Sequence, residues 1–214
     1  MRYSRCRMLF GEDFEKIQKA KVLLLGVGGV GGFCLDCLYR SGIEDITIVD
    51  FDTFDITNQN RQIGSENIGA KKVEHLKKLY KGIKALDVKV TKEWCEKFDF
   101  SVYDIVIDAI DDIEAKTALA FKVHDKLVSS LGSAKKIDPT KIESESIWKT
   151  KVDPLAKKFR YELKKQGFTK DFTAVYSTEE SKCKELGSFV AVTGTFGLTL
   201  CFVAIEKLTT KLCS

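Results

Sequence analysis

A run of glycines near the N-terminus is the part of the sequence best suited to chemistry. Gly26, Gly28 and Gly31 have the spacing G-x-G-x-x-G, with Gly29 between them, and they follow the apolar stretch 21–25 directly. Glycines between a buried strand and a helix let backbone N–H groups and the helix N-terminus converge on one point, where a phosphate can bind. The glycine spacing alone is weak evidence, because a tight turn can also require glycine.

An acidic residue strengthens this interpretation. Asp50 ends the next strand, predicted over 45–50, at the distance along the chain that is typical of a carboxylate that binds ribose. A strand, a glycine loop, a helix, a second strand and Asp50 together predict a nucleotide site. The alternative is a glycine turn with a purely structural role.

Basic residues after Asp50 indicate the kind of nucleotide. Arg61 and Lys72 lie downstream of it. A dinucleotide's pyrophosphate is usually held by backbone N–H groups and a helix dipole. A triphosphate carries more charge, and its cleavage between the α- and β-phosphates adds charge to the leaving pyrophosphate, which calls for Arg or Lys and a magnesium ion. The sequence therefore favours a triphosphate.

Carboxylates that could bind this magnesium ion follow the apolar stretch 104–108. Asp111 and Asp112 lie just beyond that stretch, at the end of a predicted strand, which is the side where open α/β sheets bind ligands. The alternative is that Asp111 or Asp112 only caps the helix predicted to begin near Ile113.

The order of predicted elements indicates the fold. Strands alternate with helices, which is typical of a Rossmann-like α/β fold with a doubly wound, mainly parallel sheet, here with a C-terminal extension that ends in an apolar helix. A helical lead-in is predicted near 11–20. The predicted strands are 21–26, 45–50, 87–92, 104–108, 127–131, 142–148 and 172–176, and the predicted helices are 29–41, 69–82, 112–124, 153–166 and 188–208.

Length and composition indicate a single domain. The chain has 214 residues, of which 44% are hydrophobic, enough for one sizeable core. We expect one domain over 1–214, with a nucleotide-binding core in 1–132 and a substrate-side and dimerisation portion in 133–214. The seven cysteines and the lack of a signal-peptide pattern predict reduced thiols and a cytoplasmic location.

The motifs above resemble a family of adenylating enzymes that includes ubiquitin-activating enzymes and the bacterial molybdopterin and thiamine adenylyltransferases. The resemblance lies in Gly26–Gly31, Asp50–Asp52, Asn58–Gln62, Lys72–Glu74 and Asp108–Asp112. It implies that ATP is bound with Mg²⁺. Asp50 would hold the ribose, Asn58, Arg61 and Lys72 would contact the phosphates, Asp111 would bind Mg²⁺, and Asp52 and Asp112 would join the ATP site.

Arg5 lies where many members of that family keep an arginine that reaches the ATP of the neighbouring subunit. The resemblance therefore implies a homodimer in which Arg5 takes part in catalysis in the partner's site. The alternative is that Arg5 is one of several solvated basic residues near the N-terminus.

Cysteines and histidines suggest no further cofactor. Cys34 and Cys37 alone have the C-x-x-C spacing, and they fall within a predicted helix, where such thiols more often pack than bind metal, so we expect no zinc site. Cys183 lies between lysines that could activate it, although an incidental loop thiol is the simpler interpretation. His75 and His124 are the only histidines, which leaves little for hydride transfer in an NAD-binding module.

The apolar stretch 189–205 almost reaches membrane-spanning length. Threonines and glycines interrupt it, and the flanking sequence resembles an α/β protein. We expect a buried helix with one face in a subunit interface and no membrane association; a membrane anchor is the alternative.

Positive charge is concentrated in the C-terminal half. Residues 135–170 contain eleven Lys or Arg and five acidic residues, a local net charge of +6, whereas the whole chain has +4. A basic region beside an adenylating site suggests a polyanionic substrate. The alternative is a solvated helix face.

A narrower resemblance favours the polyanion. The segments 136–142, 153–160 and 175–179 are similar to the tRNA threonylcarbamoyladenosine dehydratases, a branch of the same family, and the likeness covers nearly the whole chain. It implies that ATP activates the carboxylate of a threonylcarbamoyl group on tRNA, and that the carbamoyl moiety then closes a ring and releases AMP. The sequence leaves open whether a sulfur-transfer accessory protein takes part.

This chain departs from the branch at two points near the expected substrate side. The loop 132–136 carries two lysines where the branch is richer in glycine, and the segment between Glu179 and Gly187 is short. The main alternative function is an adenylyltransferase that activates the C-terminus of a ubiquitin-like or sulfur-carrier protein.

Overall fold

A single sheet of seven strands organises the chain. The computed structural model describes residues 2–210. The strands are β1 (Lys21–Leu25), β2 (Asp45–Val49), β3 (Lys84–Leu86), β4 (Ile105–Asp108), β5 (Leu127–Ser130), β6 (Ile142–Ser146) and β7 (Thr173–Ser177), in the order β3-β2-β1-β4-β5-β7-β6. All neighbouring strands are parallel except β6 and β7, which are antiparallel.

Eight α-helices connect and cover the strands. They are α1 (Ser4–Phe10), α2 (Asp13–Lys19), α3 (Gly31–Ser41), α4 (Lys72–Leu79), α5 (Lys92–Lys97), α6 (Ile113–Val123), α7 (Pro154–Lys165) and α8 (Val190–Thr210). The count refers to residues 2–210. Together with the sheet they confirm the predicted doubly wound α/β fold and its apolar C-terminal helix.

The two faces of the sheet carry separate cores because strand side chains alternate in direction. On one face Val22 and Leu24 of β1 pack with α3, α4 and α8. On the other face Leu23 and Leu25 pack with α5, α6 and α7. Both faces of the parallel strands are therefore buried, as expected for this fold.

Helix α8 is the largest helical element of the first face. It lies across α3, with Val192, Phe196 and Leu200 buried. By length and composition it could also cross a membrane, and 56% of the apolar window is buried against the rest of the chain. The helix predicted at this position is therefore present, with one side in the core.

Three local predictions need correction. The strand predicted over 87–92 is wrong: β3 lies at Lys84–Leu86, where three residues pair with β2 at the edge of the sheet. Helix α5, which follows the cap Thr91, was not predicted. The lead-in consists of two helices, α1 and α2. A three-residue edge strand and a six-residue helix are both too short to show a reliable hydrophobic period.

Two glycines of α8 predict opposite effects of the same substitution. A Cβ on Gly197 would lie 2.4 Å from the carbonyl oxygen of Val30 and 2.7 Å from the nitrogen of Cys34, whereas a Cβ on Gly194 would make an ordinary contact, 3.6 Å from the Phe33 ring. We expect Gly197→Ala to lower the free energy of unfolding by about 1–3 kcal/mol through overpacking. We expect Gly194→Ala to be neutral or to raise it by up to about 1 kcal/mol, because alanine favours helix.

Urea denaturation of both variants at one protein concentration measures the difference. Equal effects of the two substitutions would show that α8 does not press on the start of α3.

Candidate active site

The glycine loop lies at the point where the strand order reverses. Strands β2 and β1 continue to one side and β4 and β5 to the other, and ligands of open α/β sheets bind at this switch point. Gly26 adopts φ +84°, and a Cβ there would lie 2.7 Å from the carbonyl oxygen of Ala109. A Cβ on Gly31 would lie 1.9 Å from the carbonyl oxygen of Gly26. Only glycine fits at either position.

Helix α3 begins directly after this loop. Its N-cap, Val30, supplies no side-chain hydrogen bond to the first turn. The first N–H groups of a helix are unpaired within it and carry a partial positive charge. The N–H of Gly32 donates to the carbonyl oxygen of Gly28 at 2.8 Å, and the other N–H groups of this N-terminus, at the switch point, are suited to a phosphate group.

Asp50 lies beside the loop, where the sequence predicted a ribose-binding carboxylate. It is 8% exposed. Its Oδ2 accepts the N–H of Val27 at 2.8 Å, and its Oδ1 accepts the N–H of Asp52 at 2.9 Å. A carboxylate oxygen has more than one lone pair, so the same side chain can hold the loop and accept hydrogen bonds from hydroxyls.

Arg61 lies on top of the glycine loop. A Cβ on Gly29 would be 3.2 Å from its Cγ. Its Nη1 donates to the carbonyl oxygen of Thr57 and to the side-chain oxygen of Asn60, both at 2.8 Å. Both acceptors are neutral, and the ion pairs seen within residues 2–210 do not include Arg61. Its positive charge is therefore not balanced by a carboxylate of the described chain.

Asn58 has a local structural partner. Its side-chain oxygen accepts the N–H of Asp55 at 3.0 Å, while the Asp55 side chain accepts the N–H of Thr57, which gives a capped 3₁₀ turn over Ile56–Asn58. The N–H groups of Arg61 and Gln62 donate to the carbonyl oxygen of Asn58 at 3.0 and 2.9 Å. This turn sets the position of Arg61.

Gln62 is a candidate residue that the sequence analysis did not assign. A Cβ on Gly28 would lie 3.7 Å from its Nε2, and its Oε1 is buried without a hydrogen-bond partner in the described structure. A buried unpaired amide oxygen is costly, and it often marks a place that a ligand or water completes. The sequence feature that could have identified Gln62 is its position next to Arg61, because both side chains lie against the glycine loop.

Lys72 begins α4 and is 5% exposed. Its ammonium group donates to Oδ2 of Asp52 at 3.0 Å, and its N–H donates to the carbonyl oxygen of Asp52 at the same distance. The Asp52 side chain is 48% exposed. The carboxylate of Asp52 is therefore accessible to solvent, while the ammonium group of Lys72 is buried. If Lys72 binds a phosphate, as the sequence predicts, the phosphate and Asp52 compete for its ammonium group.

Asp111 and Asp112 have different surroundings. Asp112 is the N-cap of α6, and its Oδ1 accepts the N–H of Ala115 at 2.8 Å. Asp111 is exposed and lies three residues beyond Asp108, which is paired in register with Leu25 of β1. Ala109 and Ile110, which directly precede Asp111, lie against Gly26 of the glycine loop. Asp112 caps α6, and Asp111 does not take part in that cap.

Magnesium fits a site of this kind. Among residues 2–210 no three His, Cys, Asp or Glu side chains are grouped so that they could hold a metal ion. Mg²⁺ usually keeps several waters and is bound by one or two carboxylates together with phosphate oxygens. A single free carboxylate beside a phosphate-binding loop meets that requirement.

Arg5 lies on α1, away from the residues above. It is exposed, and α1 contains no buried residue. Met8 and Leu9 on the same helix are 83% and 79% exposed, and Leu198 and Phe202, one turn apart on α8, are 50% and 60% exposed. A single chain thus leaves apolar side chains exposed on both helices.

The loop 132–138 follows the carboxyl end of β5, just as the glycine loop follows the carboxyl end of β1. Lys136 is 3% exposed, and its ammonium group donates to the carbonyl oxygen of Glu179 at 2.8 Å and lies 3.9 Å from Oδ2 of Asp153. Burial raises the pKa of Asp153, which caps α7. Burial also acts to raise the pKa of Glu179, but backbone N–H groups of Asp138 and Ile137 outweigh it and keep that pKa below its usual value.

Lys135 lies in the same loop and has an unusual backbone conformation. It has φ +67°, a conformation that glycine adopts more easily. Its N–H donates to the carbonyl oxygen of Gly187 at 2.8 Å, and its own carbonyl oxygen accepts the N–H of Lys182 at 2.8 Å. The segment 182–187 therefore holds the backbone of Lys135 in this conformation. Cys183, the candidate thiol, is exposed in this segment.

Helix α7 carries the basic surface. It buries Ala156, Phe159 and Leu163 and exposes Lys157 and Lys158. Arg160 is half-buried and donates to the hydroxyl of Thr150. The lysines are therefore more accessible to a polyanion than Arg160. The other exposed lysines of the basic region are Lys141, Lys149, Lys151, Lys164, Lys165 and Lys170.

Comparison with known proteins gives consistent results. The family model described as the ThiF family matches residues 3–211. A tRNA threonylcarbamoyladenosine dehydratase of Bacillus subtilis is 38% identical over 204 residues, which cover 87% of this chain and 80% of that protein. A Saccharomyces cerevisiae protein named tRNA threonylcarbamoyladenosine dehydratase 2 is 32% identical over 82% of this chain, and the match spans 42% of its length.

A solved structure is similar along its whole length. The crystal structure of the E. coli tRNA N6-threonylcarbamoyladenosine dehydratase in complex with ATP has a TM-score of 0.93 and 33% identity, with 99% of this chain and 95% of that chain covered. The motifs, the fold and these similarities agree. The chain belongs to the ThiF family, in the branch of the tRNA threonylcarbamoyladenosine dehydratases.

Proposed function

We propose that this protein uses ATP to dehydrate threonylcarbamoyladenosine in tRNA, by adenylating its carboxylate and closing it to a ring. The observation that carries the proposal is the arrangement at the switch point, where an uncapped helix N-terminus, Asp50, and the unbalanced charge of Arg61 surround the glycine loop. The relatives that share this fold over their length are named for that reaction or bind ATP.

The reaction balances without a protein nucleophile. The substrate carboxylate attacks the α-phosphorus of ATP and pyrophosphate leaves. The carbamoyl moiety then attacks the activated carboxyl carbon, the ring closes, and one carboxylate oxygen leaves with AMP. The nucleoside loses the elements of one water. Among residues 2–210 three cysteines are buried, two are partly buried and Cys183 is exposed, and the reaction as written requires none of them.

The residues divide the work by charge. Asp50 accepts hydrogen bonds from the ribose hydroxyls, and the first N–H groups of α3 bind phosphate. Arg61 and Lys72 stabilise charge that develops on the leaving pyrophosphate. Bound Mg²⁺ supplies further neutralisation of the phosphates, and Asp111 would hold it. Asn58 acts by fixing the turn that carries Arg61.

Asp111 and Asp112 give a direct test of this assignment. With ATP, Mg²⁺ and tRNA bearing threonylcarbamoyladenosine, we expect the wild-type protein to lower the nucleoside mass by one water and to form AMP in equal amount. Asp111→Ala should slow this by roughly 10²–10³-fold, because it removes charge stabilisation in the transition state. Asp112→Asn should stay near wild type, since asparagine also caps a helix. Mass spectrometry of the nucleosides measures both.

Binding measurements separate the roles. Asp50→Ala should weaken AMP and ATP alike, because both contain the ribose. An unchanged nucleoside mass, together with adenylation of a sulfur-carrier protein at its C-terminus, would replace this proposal by the protein-activating alternative.

The substrate side supports a tRNA partner. Lysines on the exposed face of α7 supply contacts to phosphates that do not depend on sequence. Helix α4 packs on β3, at one end of the sheet. Helix α7 packs on α6, toward the other end of the sheet, and so it lies far from α4. Each helix has a pair of adjacent exposed lysines, Lys157 with Lys158 and Lys77 with Lys78. The second pair is a matched control for the first.

We expect Lys157→Gln/Lys158→Gln to weaken tRNA binding and to flatten the slope of log affinity against log salt by about 1.5, at about 0.7–0.9 per lost phosphate contact. ATP binding should not change. Lys77→Gln/Lys78→Gln removes the same charge at the other end of the sheet and should leave the slope nearly unaltered. Binding titrations over a series of KCl concentrations measure it, and equal slopes for the two variants would refute guidance by α7.

Exposed apolar side chains support a homodimer. Met8, Leu9, Leu198 and Phe202 are too exposed to contribute to the core of one chain. An interface built from α1 and α8 would bury them, and Arg5 on α1 would then lie at the boundary between subunits. We propose that Arg5 contributes to the ATP site of the partner. This assembly is also compatible with a soluble, cytoplasmic protein.

Mixed subunits test the exchange of Arg5. Equal amounts of Arg5→Ala and Asp111→Ala subunits, each inactive alone, should recover about a quarter of wild-type activity, since half of the dimers are mixed and each has one intact site. Arg5→Ala mixed with the Arg5→Ala/Asp111→Ala double variant has no intact site and should stay inactive. Activity of the first mixture no higher than the mean of its two parents would mean that Arg5 does not act across subunits, and an Arg5→Ala protein that is active alone would mean that Arg5 has no role in catalysis.

A further inference from the structure

A buried ion pair lies directly under the proposed ATP site. Lys116 of α6 and Asp108 of β4 both have fully buried side chains, and their Nζ and Oδ2 atoms are 2.8 Å apart. The ammonium group also donates to the carbonyl oxygen of Ser130 at 2.7 Å and to the hydroxyl of Ser129 at 3.3 Å. All three ammonium protons therefore have acceptors.

The carboxylate of Asp108 connects this cluster to the loop that carries Asp111. Its Oδ2 also accepts the hydroxyl of Ser129 at 2.6 Å, and its Oδ1 accepts the N–H of Ile110 at 3.2 Å. The residue between them, Ala109, presents its carbonyl oxygen to Gly26 of the glycine loop. Orientation of the Asp108 carboxylate thus sets the turn 109–110, and Asp111 is the next residue.

Lys116 closes the same turn from its other end. It lies one turn into α6, and its N–H donates to the carbonyl oxygen of Asp112 at 3.0 Å. The segment 109–111 therefore runs between Asp108 and Asp112, and the Lys116 side chain joins the start of the segment to the helix at its end. Few other conformations of the segment keep both connections.

Stability alone does not account for such a pair. Removing a lysine ammonium and a carboxylate from water is costly, and a buried ion pair is often replaced by apolar side chains without loss of stability. What an apolar pair would not supply is the directed hydrogen bond from Asp108 to the turn. Outer partners of this kind commonly tune the position of a metal ligand.

We propose that Lys116 is a positioning residue for the magnesium ligand Asp111. It orients the Asp108 carboxylate, which fixes the turn 109–110 and so holds Asp111 toward the phosphates of ATP. This inference rests on the proposed function, because it assumes that ATP and Mg²⁺ bind at the glycine loop. It adds a role for two residues that do not touch the nucleotide.

The test measures magnesium dependence and local protection, neither of which requires turnover of tRNA. In Lys116→Met we expect the Mg²⁺ concentration for half-maximal ATP binding to rise about 10–100-fold, while the affinity for AMP without Mg²⁺ stays within about twofold. The N–H of Ile110 should exchange faster with solvent, because its acceptor is no longer fixed. Calorimetric titration and hydrogen exchange measure these quantities, and Lys116→Arg should restore part of the magnesium dependence.

Lys126 supplies a matched control. Its ammonium group is also partly buried and donates to the carbonyl oxygens of Phe100 and Tyr103 at 2.8 and 2.9 Å, at the other end of β4 and β5. Lys126→Met removes a comparable set of hydrogen bonds and should leave the magnesium dependence unchanged. If Lys116→Met does not fold, Ser129→Ala removes one donor to Asp108 and should change the same quantities in the same direction by a smaller factor.

Two results would overturn the inference: a magnesium dependence in Lys116→Met or Ser129→Ala equal to that of wild type, or an equal change in Lys126→Met. Failure of the proposed function gives a different result: the wild-type protein would bind ATP but would not dehydrate threonylcarbamoyladenosine. The effect of Lys116→Met on the magnesium dependence of ATP binding could still be measured in that case.

Discussion

The close approach of backbone atoms around the start of α3 is the constraint on which the site depends. Gly31 sits against the carbonyl oxygen of Gly26, Gly26 against that of Ala109, and Gly197 of α8 against that of Val30. None of these contacts leaves room for a side chain. The loop is therefore held by β4 on one side and by α8 on the other, and its N–H groups are in place before any phosphate arrives. Donors that are fixed in advance need no reorganisation when charge develops.

Charge around this loop is neutralised to different degrees at different depths. Lys116 is fully buried and fully paired. Lys72 is buried, but its partner Asp52 is half-exposed. Arg61, nearest the glycines, donates only to neutral groups. The positive charge without a carboxylate partner is therefore the one beside the glycine loop, where an anionic ligand could pair with it.

The sequence predicts what local patterns determine. The glycine spacing located the loop because a Cβ at Gly26 or Gly31 would collide with a carbonyl oxygen, and Asp50 marked it because its carboxylate accepts an N–H of the loop. The alternation of strands and helices was sufficient for the fold. The edge strand β3 and helix α5 were missed because they are too short to show a period. Lys116 could not be assigned from sequence, because a lysine in an amphipathic helix is expected to face solvent. Its burial depends on Asp108 and on β5, which only the folded sheet brings together.

Counting charges in the sequence also overstates the field that an RNA would meet. Lys136 belongs to the basic region, yet it is buried and lies 3.9 Å from Oδ2 of Asp153. Lys135 and Arg160 donate to neutral groups and keep their charge, but both are partly buried. The exposed lysines on and beside α7 remain, and phosphate contacts of this kind guide a nucleic acid without reading its bases. Phosphate contacts do not select a modified nucleoside, so other residues must contact it. The loop that contains Lys135 and the segment ending at Gly187 follow β5 and β7 and are hydrogen-bonded to each other, so they form one structural unit beside the site.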